Sequence, residues 1–322
     1  MDTLAPARLR IVPGRSDEAL IPFQFDAAAD APLEVGCVPV AGPRAEAWLA
    51  GTIGESAETH GAAWAHAEHY AMVAVSVDEV DGDIEAAAAT AYERLLVAVR
   101  PSAHPYLLRI WNYFAAINRG DGDDERYRRF CVGRARGVDG MFNDPPPAAT
   151  AIGTPGEPGR VQVIALCARA PALALENPRQ TPAWRYPREH GPVAPGFSRG
   201  AVLDAGTETP RLLASGTASI VGHVSRHPGD VAAQLQESLA NLRALLEEGE
   251  RRTGRRFDPA GCEALRVYLR DPGQVDGLRS AVEAAGIPAD RVAWLHGDVC
   301  RRELDVELEG VFRAGEMAAR ND

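Results

Sequence analysis

The stretch YAMVAVSVDEVDGDIEAAAATAYERLLVAV, residues 70–99, places a strand, a helix start and a long helix in direct succession. Its first eight residues are almost all apolar, which is typical of a buried strand. Asp81, Gly82 and Asp83 then provide a helix start, because aspartate side chains accept hydrogen bonds from the first turn of a helix. The apolar residues that follow recur at helical spacing: Ile84, Ala88, Ala91, Leu95 and Val99. The stretch therefore predicts a strand and a helix that packs on the same sheet.

The second half of the chain repeats this order. Residues 212–221 predict a strand and Gly229-Asp230 a helix start, and the apolar stripe that follows consists of Val231, Leu235, Leu239, Leu242 and Leu245. The first half continues with a strand at residues 106–117 and a short helix at 125–134. The second half continues with a strand at 264–269, a short helix at 275–285 and two further strands at 292–295 and 304–311. The repetition indicates a duplicated unit.

Prolines and glycines crowd residues 143–159, NDPPPAATAIGTPGEPG, and this composition predicts a connection between the two halves. We therefore predict an α+β protein of two tandem units, each a mixed sheet with two helices packed on one face. Residues 1–150 form the expected N-terminal domain and residues 151–322 the expected C-terminal domain.

The charge and cysteine content exclude several classes of protein. The 322 residues include 34 Lys and Arg against 45 Asp and Glu, a net charge of −11, which disfavours binding to nucleic acid or to anionic membranes. No stretch reaches the roughly 18 apolar residues of a membrane span, and the first residues do not resemble a secretory signal. The five cysteines form no C-x-x-C pair. We expect a cytoplasmic protein without a disulfide framework or a zinc site.

Common catalytic motifs are missing from the chain, including the P-loop, the G-x-G-x-x-G and G-x-S-x-G patterns and H-E-x-x-H. The group His60, His66, Glu68 and His69 is a weak candidate for a metal site, because His66 and His69 would point to opposite faces of a strand. We expect no metal and no cofactor, so that catalysis rests on acid, base and charge.

Five blocks of the sequence resemble the chorismatase family in their order and spacing: RIWNYFAAIN from Arg109, ERYRRFCVGR from Glu125, ALENPRQTPAWRYPREHGPVAPGFSRG, LLASGTASIVGHVS and DVCRRELDVELEG. The resemblance implies an enzyme that removes pyruvate from the dianion chorismate without a cofactor. It also implies two units similar to the reactive-intermediate deaminase superfamily, a chorismate-mutase-like fold, with most of the active site in the C-terminal domain. Both a monomer and a trimer fit this fold.

Chorismate carries two carboxylates, and arginine is the side chain that best matches a carboxylate. Tyr127 and Arg134 lie seven residues apart, so both project from one face of the predicted short helix. Residues 177–199 predict a binding loop in which Arg179, Tyr186 and Arg199 are the candidates for the second carboxylate and the ring hydroxyl. Each of these residues could equally occupy a plain surface position, and the resemblance favours a role in substrate binding.

The last predicted strand carries alternating carboxylates that are expected to face one way: Glu303, Asp305, Glu307 and Glu309. Such a face is commonly solvated, but in a cleft one carboxyl would become a usable acid. The resemblance places the catalytic carboxylate at Glu307.

Two further positions concern the product. By resemblance, cysteine at Cys300 goes with formation of 3-hydroxybenzoate, with 4-hydroxybenzoate as a further product, whereas at Ala218 that branch would favour glycine. The departure leaves open hydrolysis to a dihydroxycyclohexadiene carboxylate. The sequence is also compatible with an imine or enamine deaminase and with a non-catalytic ligand-binding protein.

Overall fold

The computed structural model describes residues 9–25, 35–54, 56–59, 61–138 and 145–315, and these form eighteen strands and four α-helices. In chain order the strands are β1 (Arg10–Pro13), β2 (Phe23–Gln24), β3 (Val38–Ala41), β4 (Ala45–Leu49), β5 (Ala57–Thr59), β6 (Ala62–His66), β7 (Tyr70–Asp78), β8 (Tyr106–Ala115), β9 (Ala148–Thr154), β10 (Arg160–Ala168), β11 (Leu173–Leu175), β12 (Gly200–Leu203), β13 (Arg211–Ala218), β14 (Ile220–Val221), β15 (Val224–Ser225), β16 (Cys262–Leu269), β17 (Val292–His296) and β18 (Val306–Arg313). The helices are α1 (Ile84–Val99), α2 (Arg126–Val138), α3 (Val231–Thr253) and α4 (Val275–Ala284).

Both long helices begin at the predicted aspartates. The Asp83 carboxylate accepts hydrogen bonds from the backbone of Glu85 and Ala86, and Asp230 does the same for Ala233 in α3. These contacts satisfy amide groups that have no partner inside the helix. Helix α3 ends at Gly254, whose φ of 69° is a left-handed conformation that glycine adopts without strain.

The two large sheets have the same strand order. The first sheet is β5-β6-β7-β10-β8-β9, and the second is β11-β12-β13-β18-β16-β17, extended by β3. In each sheet, the two strands that the short helix connects are parallel: β8 with β9 in the first and β16 with β17 in the second. The other pairs are antiparallel. This equivalence, strand by strand, confirms the predicted α+β duplication.

The chain is layered as helices, sheet, sheet and helices. One apolar cluster joins α1 and α2 to the first sheet, and another joins α3 and α4 to the second. A third cluster lies between the opposite faces of the two sheets and includes Trp111, Leu213 and Tyr268. The sheets therefore pack against one another, and polar residues at this junction come from both halves of the chain. In the described part of the chain no helix is long and apolar enough to cross a membrane.

Several details differ from the sequence prediction. The segment 143–159, expected as a connection, contains β9, which pairs with β8 as the edge strand of the first sheet. Flanking prolines and glycines hide this short strand. The expected boundary after residue 150 falls inside β9, and β10, which follows it, also belongs to the first sheet. The division of the chain into two domains stays a prediction. The basic helix continues to Val138.

The last strand begins at Val306 rather than at residue 304, so Glu303 and Asp305 do not belong to it. The preceding backbone is held by other partners. Arg270 donates hydrogen bonds to the carbonyls of Arg301 and Leu304, and the Gln234 side chain accepts from the Asp305 amide. These backbone groups are consequently not free to extend the sheet, and only Glu307 and Glu309 of the four carboxylates share a strand face.

Candidate active site

A cavity of about 340 Å³ opens where α2, the loop before β12, the end of β13 and the start of β18 meet. Seven of the eight residues predicted from the sequence line it: Tyr127, Arg134, Tyr186, Arg199, Ala218, Cys300 and Glu307. The structure does not bring Arg179 there. Its guanidinium donates to Glu237 at 2.5 Å and to Asn241 at 2.8 Å, on α3. Other residues of the lining were not predicted: Glu125, Thr150, Phe197, Gly216 and Arg301.

An irregularity in β13 makes room for Glu307. The register with β18 shifts by one residue between Ala214 and Thr217, which is a β-bulge. Gly216 lies in this bulge, and a Cβ atom there would stand 2.0 Å from Oε1 of Glu307. The Gly216 amide donates to the Thr150 hydroxyl at 2.8 Å, which ties the bulge to β9 of the first sheet. Only a residue without a side chain leaves this space to the carboxyl group.

Glu309, on the same face of β18, lies in a dense polar network. Arg109 and Arg266 form ion pairs with its two oxygens, and the hydroxyls of Tyr268 and Thr150 donate to it at 2.6 and 2.5 Å. The side chain is 3% exposed. Burial alone would raise its pKa, but the two guanidiniums and the hydroxyl donors hold the pKa of Glu309 below its usual value. Glu309 is therefore ionised.

Glu307 has the opposite protonation. It is 4% exposed, and burial raises its pKa from 4.5 to about 8, with the negative charge of Glu309 acting in the same direction. Arg109 and Arg199 oppose this shift without cancelling it. Among the described residues none donates a hydrogen bond to its carboxyl group. At neutral pH Glu307 is consequently a protonated acid that faces the cavity.

Three guanidiniums at the cavity have no carboxylate within 4.0 Å among the described residues, namely those of Arg134, Arg199 and Arg301. Arg199 donates to the Tyr186 hydroxyl at 2.5 Å and to a backbone carbonyl at 3.0 Å, and its Nε has no partner in the described structure. The Phe197 and Tyr186 rings lie 5.2 and 5.5 Å from its guanidinium carbon. Unpaired cations next to aromatic walls are a suitable environment for an anionic ligand.

Cys300 and Tyr127 also line the cavity. Burial raises the pKa of both side chains, and the neighbouring Glu307 adds to the shift of each. They are therefore a neutral thiol and a neutral phenol. Tyr127 stacks on Phe130, with an interplanar angle of 16°. Ala218 lies opposite Glu307 in the strand register, where its small side chain leaves the acid accessible.

The sequence contained a signal for some of the unpredicted residues. Arg301 follows Cys300 directly, and Phe197 lies in the predicted binding loop. Gly216 lies in the block LLASGTASIVGHVS, two residues before Ala218, but its role depends on the bulge. Thr150 gave no signal, because its place in the site depends on the packing of the two sheets.

Comparison with known proteins agrees with this geometry. Residues 46–167 match the family described as Chorismatase FkbO/Hyg5-like, N-terminal. A chorismatase from Streptomyces rapamycinicus is 39% identical over 275 residues, which cover 83% of this chain and 81% of that protein. The chain belongs to the chorismatase family.

Other members of the family are similar over comparable lengths. A 3-hydroxybenzoate synthase from Streptomyces hygroscopicus is 34% identical over 289 residues, covering 87% of this chain and 84% of that protein. A crystal structure of a chorismatase, 32% identical, matches with a TM-score of 0.82 and covers 96% of this chain and 100% of its own. The chorismatase resemblance of the five sequence blocks is thus confirmed, and the chain is an enzyme of this family.

Proposed function

We propose that this chorismatase removes pyruvate from chorismate and forms mainly 3-hydroxybenzoate. The observation that carries the proposal is the protonated Glu307 at the wall of a cavity that also holds three guanidiniums with no carboxylate partner among the described residues. The names of the relatives, chorismatase and 3-hydroxybenzoate synthase, support the same substrate and product. All five cysteines are free and four are buried, which supports a cytoplasmic enzyme.

Binding of the dianion is the task of the arginines. Arg199 and Arg134 approach the cavity from different elements, the loop before β12 and helix α2, so they are placed to bind two separate carboxylates. In a buried site, a charge-assisted hydrogen bond from a guanidinium is stronger than the same contact in water. We assign Tyr186 to orientation of Arg199, because its hydroxyl accepts one of the guanidinium hydrogens.

The acid step belongs to Glu307. Its proton is transferred to the methylene carbon of the enolpyruvyl group, which creates an oxocarbenium ion and leaves Glu307 as a carboxylate. The new negative charge lies beside the new positive charge, and this pairing stabilises the intermediate in a site of low dielectric constant. In the branch that forms 3-hydroxybenzoate, the bond between the ring carbon and the ether oxygen then breaks with its electron pair on that oxygen, and pyruvate leaves as a ketone.

The product depends on which carbon is attacked. Attack of the neighbouring ring hydroxyl on the ring carbon displaces the ether oxygen, and aromatisation then gives 3-hydroxybenzoate and pyruvate with no added water. Attack of water on the oxocarbenium carbon instead gives a hemiketal, which releases pyruvate and leaves the ether oxygen on the ring as a hydroxyl of the dihydroxycyclohexadiene carboxylate. Cys300 adjoins Glu307 as a neutral thiol and is assigned to the steps that follow attack by the hydroxyl. No step requires a cofactor.

The test is incubation of the purified protein with chorismate, with pyruvate measured by a coupled enzyme assay and the aromatic acids by chromatography. We expect equimolar pyruvate and 3-hydroxybenzoate, and a loss of about 10²- to 10⁴-fold in rate for Glu307→Gln. Glu248→Gln, which replaces a carboxylate of α3 that pairs with Arg251 and is not among the residues that line the cavity, is the matched control. Absence of pyruvate from the wild-type reaction would exclude the proposal in favour of a deaminase or a non-catalytic binding protein.

A further inference from the structure

Three metal-binding side chains meet at the rim of the cavity, outside the groups assigned above. Nε2 of His190 lies 3.0 Å from Nδ1 of His223, and a carboxylate oxygen of Glu189 lies 3.4 Å from the first nitrogen and 3.3 Å from the second. The three donor atoms therefore form a nearly equilateral triangle. A hydrogen bond between the two imidazoles explains the short distance between their nitrogens. It does not explain why the Glu189 carboxylate lies at almost the same distance from both nitrogens.

This triangle has the dimensions of one face of a tetrahedral metal site. Zinc binds nitrogen and oxygen at about 2.0–2.1 Å, and two ligands of a tetrahedral ion are then about 3.3–3.4 Å apart. An ion placed roughly 0.8 Å above the plane of the three atoms would be at bonding distance from all of them. The fourth position of the ion would remain open.

The donor set selects the class of metal. Two imidazole nitrogens and one carboxylate suit Zn²⁺, Cu²⁺, Ni²⁺ and Co²⁺, whereas Mg²⁺ and Ca²⁺ prefer oxygen donors alone. Arg128 and Arg301 also line this part of the cavity, and their charges oppose a dication. The carboxylate of Glu189 is consequently needed to offset them.

The local fold brings the donors together from two separate segments. Glu189 and His190 lie in a short turn, Arg188–His190, whose backbone is closed by hydrogen bonds to Pro187 and Arg188. His223 lies between β14 and β15, and its carbonyl accepts a hydrogen bond from Arg301 at 2.9 Å. The sequence gives no sign of this site, since 33 residues separate the two histidines.

We propose that Glu189, His190 and His223 form a binding site for a divalent transition-metal ion of the zinc class at the rim of the cavity. The site is independent of the proposed reaction, which needs no metal. A bound ion links the loop before β12 to the hairpin β14–β15 and so stabilises the folded state by mass action. It also adjoins the Tyr186 ring, which lies 5.0 Å from the His190 ring and whose hydroxyl contacts Arg199.

Calorimetric titration of the chelator-treated full chain with ZnCl₂ alone tests the proposal. We expect one ion per chain, a higher melting temperature, no matching response to MgCl₂, and the intense visible absorption of tetrahedral cobalt when CoCl₂ replaces zinc. His223→Gln and Glu189→Gln should each weaken zinc binding by at least about tenfold. The exposed Glu189 side chain makes the second variant safe for folding.

His227→Gln is the matched control, because His227 has a carboxylate partner at 3.3 Å but no second imidazole in the described structure. This variant should bind zinc as the wild type does. Absence of zinc binding to the wild type, equal binding of Mg²⁺, or binding that survives both His223→Gln and Glu189→Gln would overturn the proposal. Because the readout is metal binding rather than turnover, its failure is distinguishable from failure of the proposed function.

Discussion

Glu307 and Glu309 stand two residues apart on one face of β18, yet the first is protonated and the second is ionised at neutral pH. Both are buried, so burial does not separate them. The difference comes from their partners: two guanidiniums and two hydroxyls surround Glu309, whereas no described residue donates a hydrogen bond to Glu307. Two carboxyls whose pKa values are driven apart can divide acid chemistry and charge between them.

Replacement of Glu309 should change the pH dependence of the reaction. We expect wild-type activity to fall as pH rises through about 8, where Glu307 loses its proton. In Glu309→Gln the neighbouring negative charge is gone and Arg109 is unpaired, and both changes lower the pKa of Glu307. The alkaline limb of the rate profile should therefore move to lower pH. The measurement is kcat/KM for pyruvate release between pH 5 and 9.

The control for this variant is Glu263→Gln, which removes a carboxylate from another buried arginine, Arg211. Loss of one partner of a buried ion pair costs about 3–5 kcal/mol, so both variants are assayed at a temperature where circular dichroism shows them folded. A folded Glu309→Gln with an unchanged alkaline limb would contradict the role given to Glu309.

Gly216→Ala should disable the acid while the fold is kept. The added Cβ would stand 2.0 Å from Oε1 of Glu307, so the carboxyl must move. A misplacement of about 1 Å can cost 10²-fold in rate, and we expect a loss in kcat of at least that size. Gly277→Ala is the control, since the same methyl group meets no atom of the described residues within 4 Å there and favours helix α4. Equal activity of the two variants would show that the bulge does not position Glu307.

Arg199→Lys and Arg179→Lys should show which of the two arginines binds the substrate and which only forms an ion pair within the protein. Arg199 lines the cavity and has no carboxylate partner in the described part of the chain, whereas Arg179 pairs with Glu237 on α3. Lysine keeps the charge but not the planar fork, so we expect KM for chorismate to rise about 10- to 100-fold in Arg199→Lys. Arg179→Lys should leave KM unchanged. The reverse pattern in steady-state kinetics would indicate that Arg179, and not Arg199, binds the second carboxylate of chorismate.

The sequence predicted the duplicated fold and seven cavity residues, because apolar periodicity, helix caps and the family blocks are all local patterns. It did not predict the site's electrostatics. Glu309 looks like its neighbours on an alternating acidic strand, and its partners Arg109 and Thr150 come from the first sheet. Charges that meet only through packing of two sheets leave no periodic trace in either half.

The wrong start of the last strand has a similar origin. Residues 303–309 alternate as a strand should, but the side chains of Arg270 and Gln234, from distant positions, bind the backbone before Val306. The prediction for Arg179 is wrong because of similar long-range contacts. Other residues of its sequence block line the cavity, but the Arg179 side chain donates to Asn241 and Glu237 instead. A block can be assigned from sequence more securely than the direction of one side chain within it.

Cys300→Ala should change the product more than the rate. If the thiol assists the steps toward the aromatic ring, its loss leaves pyruvate release in place and shifts the ring product toward the dihydroxycyclohexadiene carboxylate. Cys131→Ala is the control, because this buried thiol belongs to α2 and is not among the residues that line the cavity. Chromatography of both reactions decides the matter. An unchanged share of 3-hydroxybenzoate from Cys300→Ala would remove Cys300 from the product-determining step.

Glu307→Gln should stabilise the folded protein at alkaline pH although it slows the reaction. In the unfolded chain Glu307 ionises near 4.5, whereas in the folded protein it keeps its proton up to about 8. Its contribution to stability is therefore fully present below pH 4.5 and is lost as pH rises through 8. The neutral amide of glutamine has no such dependence. The free energy of unfolding of the variant minus that of the wild type should therefore increase, on the order of a few kcal/mol, as the pH is raised from 5 to 9.

Urea denaturation of the two proteins at pH 5, 7 and 9 measures this difference. Glu248→Gln is the control: contacts with Arg251 lower the pKa of Glu248, so it is ionised throughout this range and its effect on stability should be the same at pH 5 and pH 9. A difference between wild type and Glu307→Gln that stays constant with pH would mean that Glu307 is already ionised at neutral pH. The acid step would then have to be assigned to another group, even if the protein releases pyruvate from chorismate.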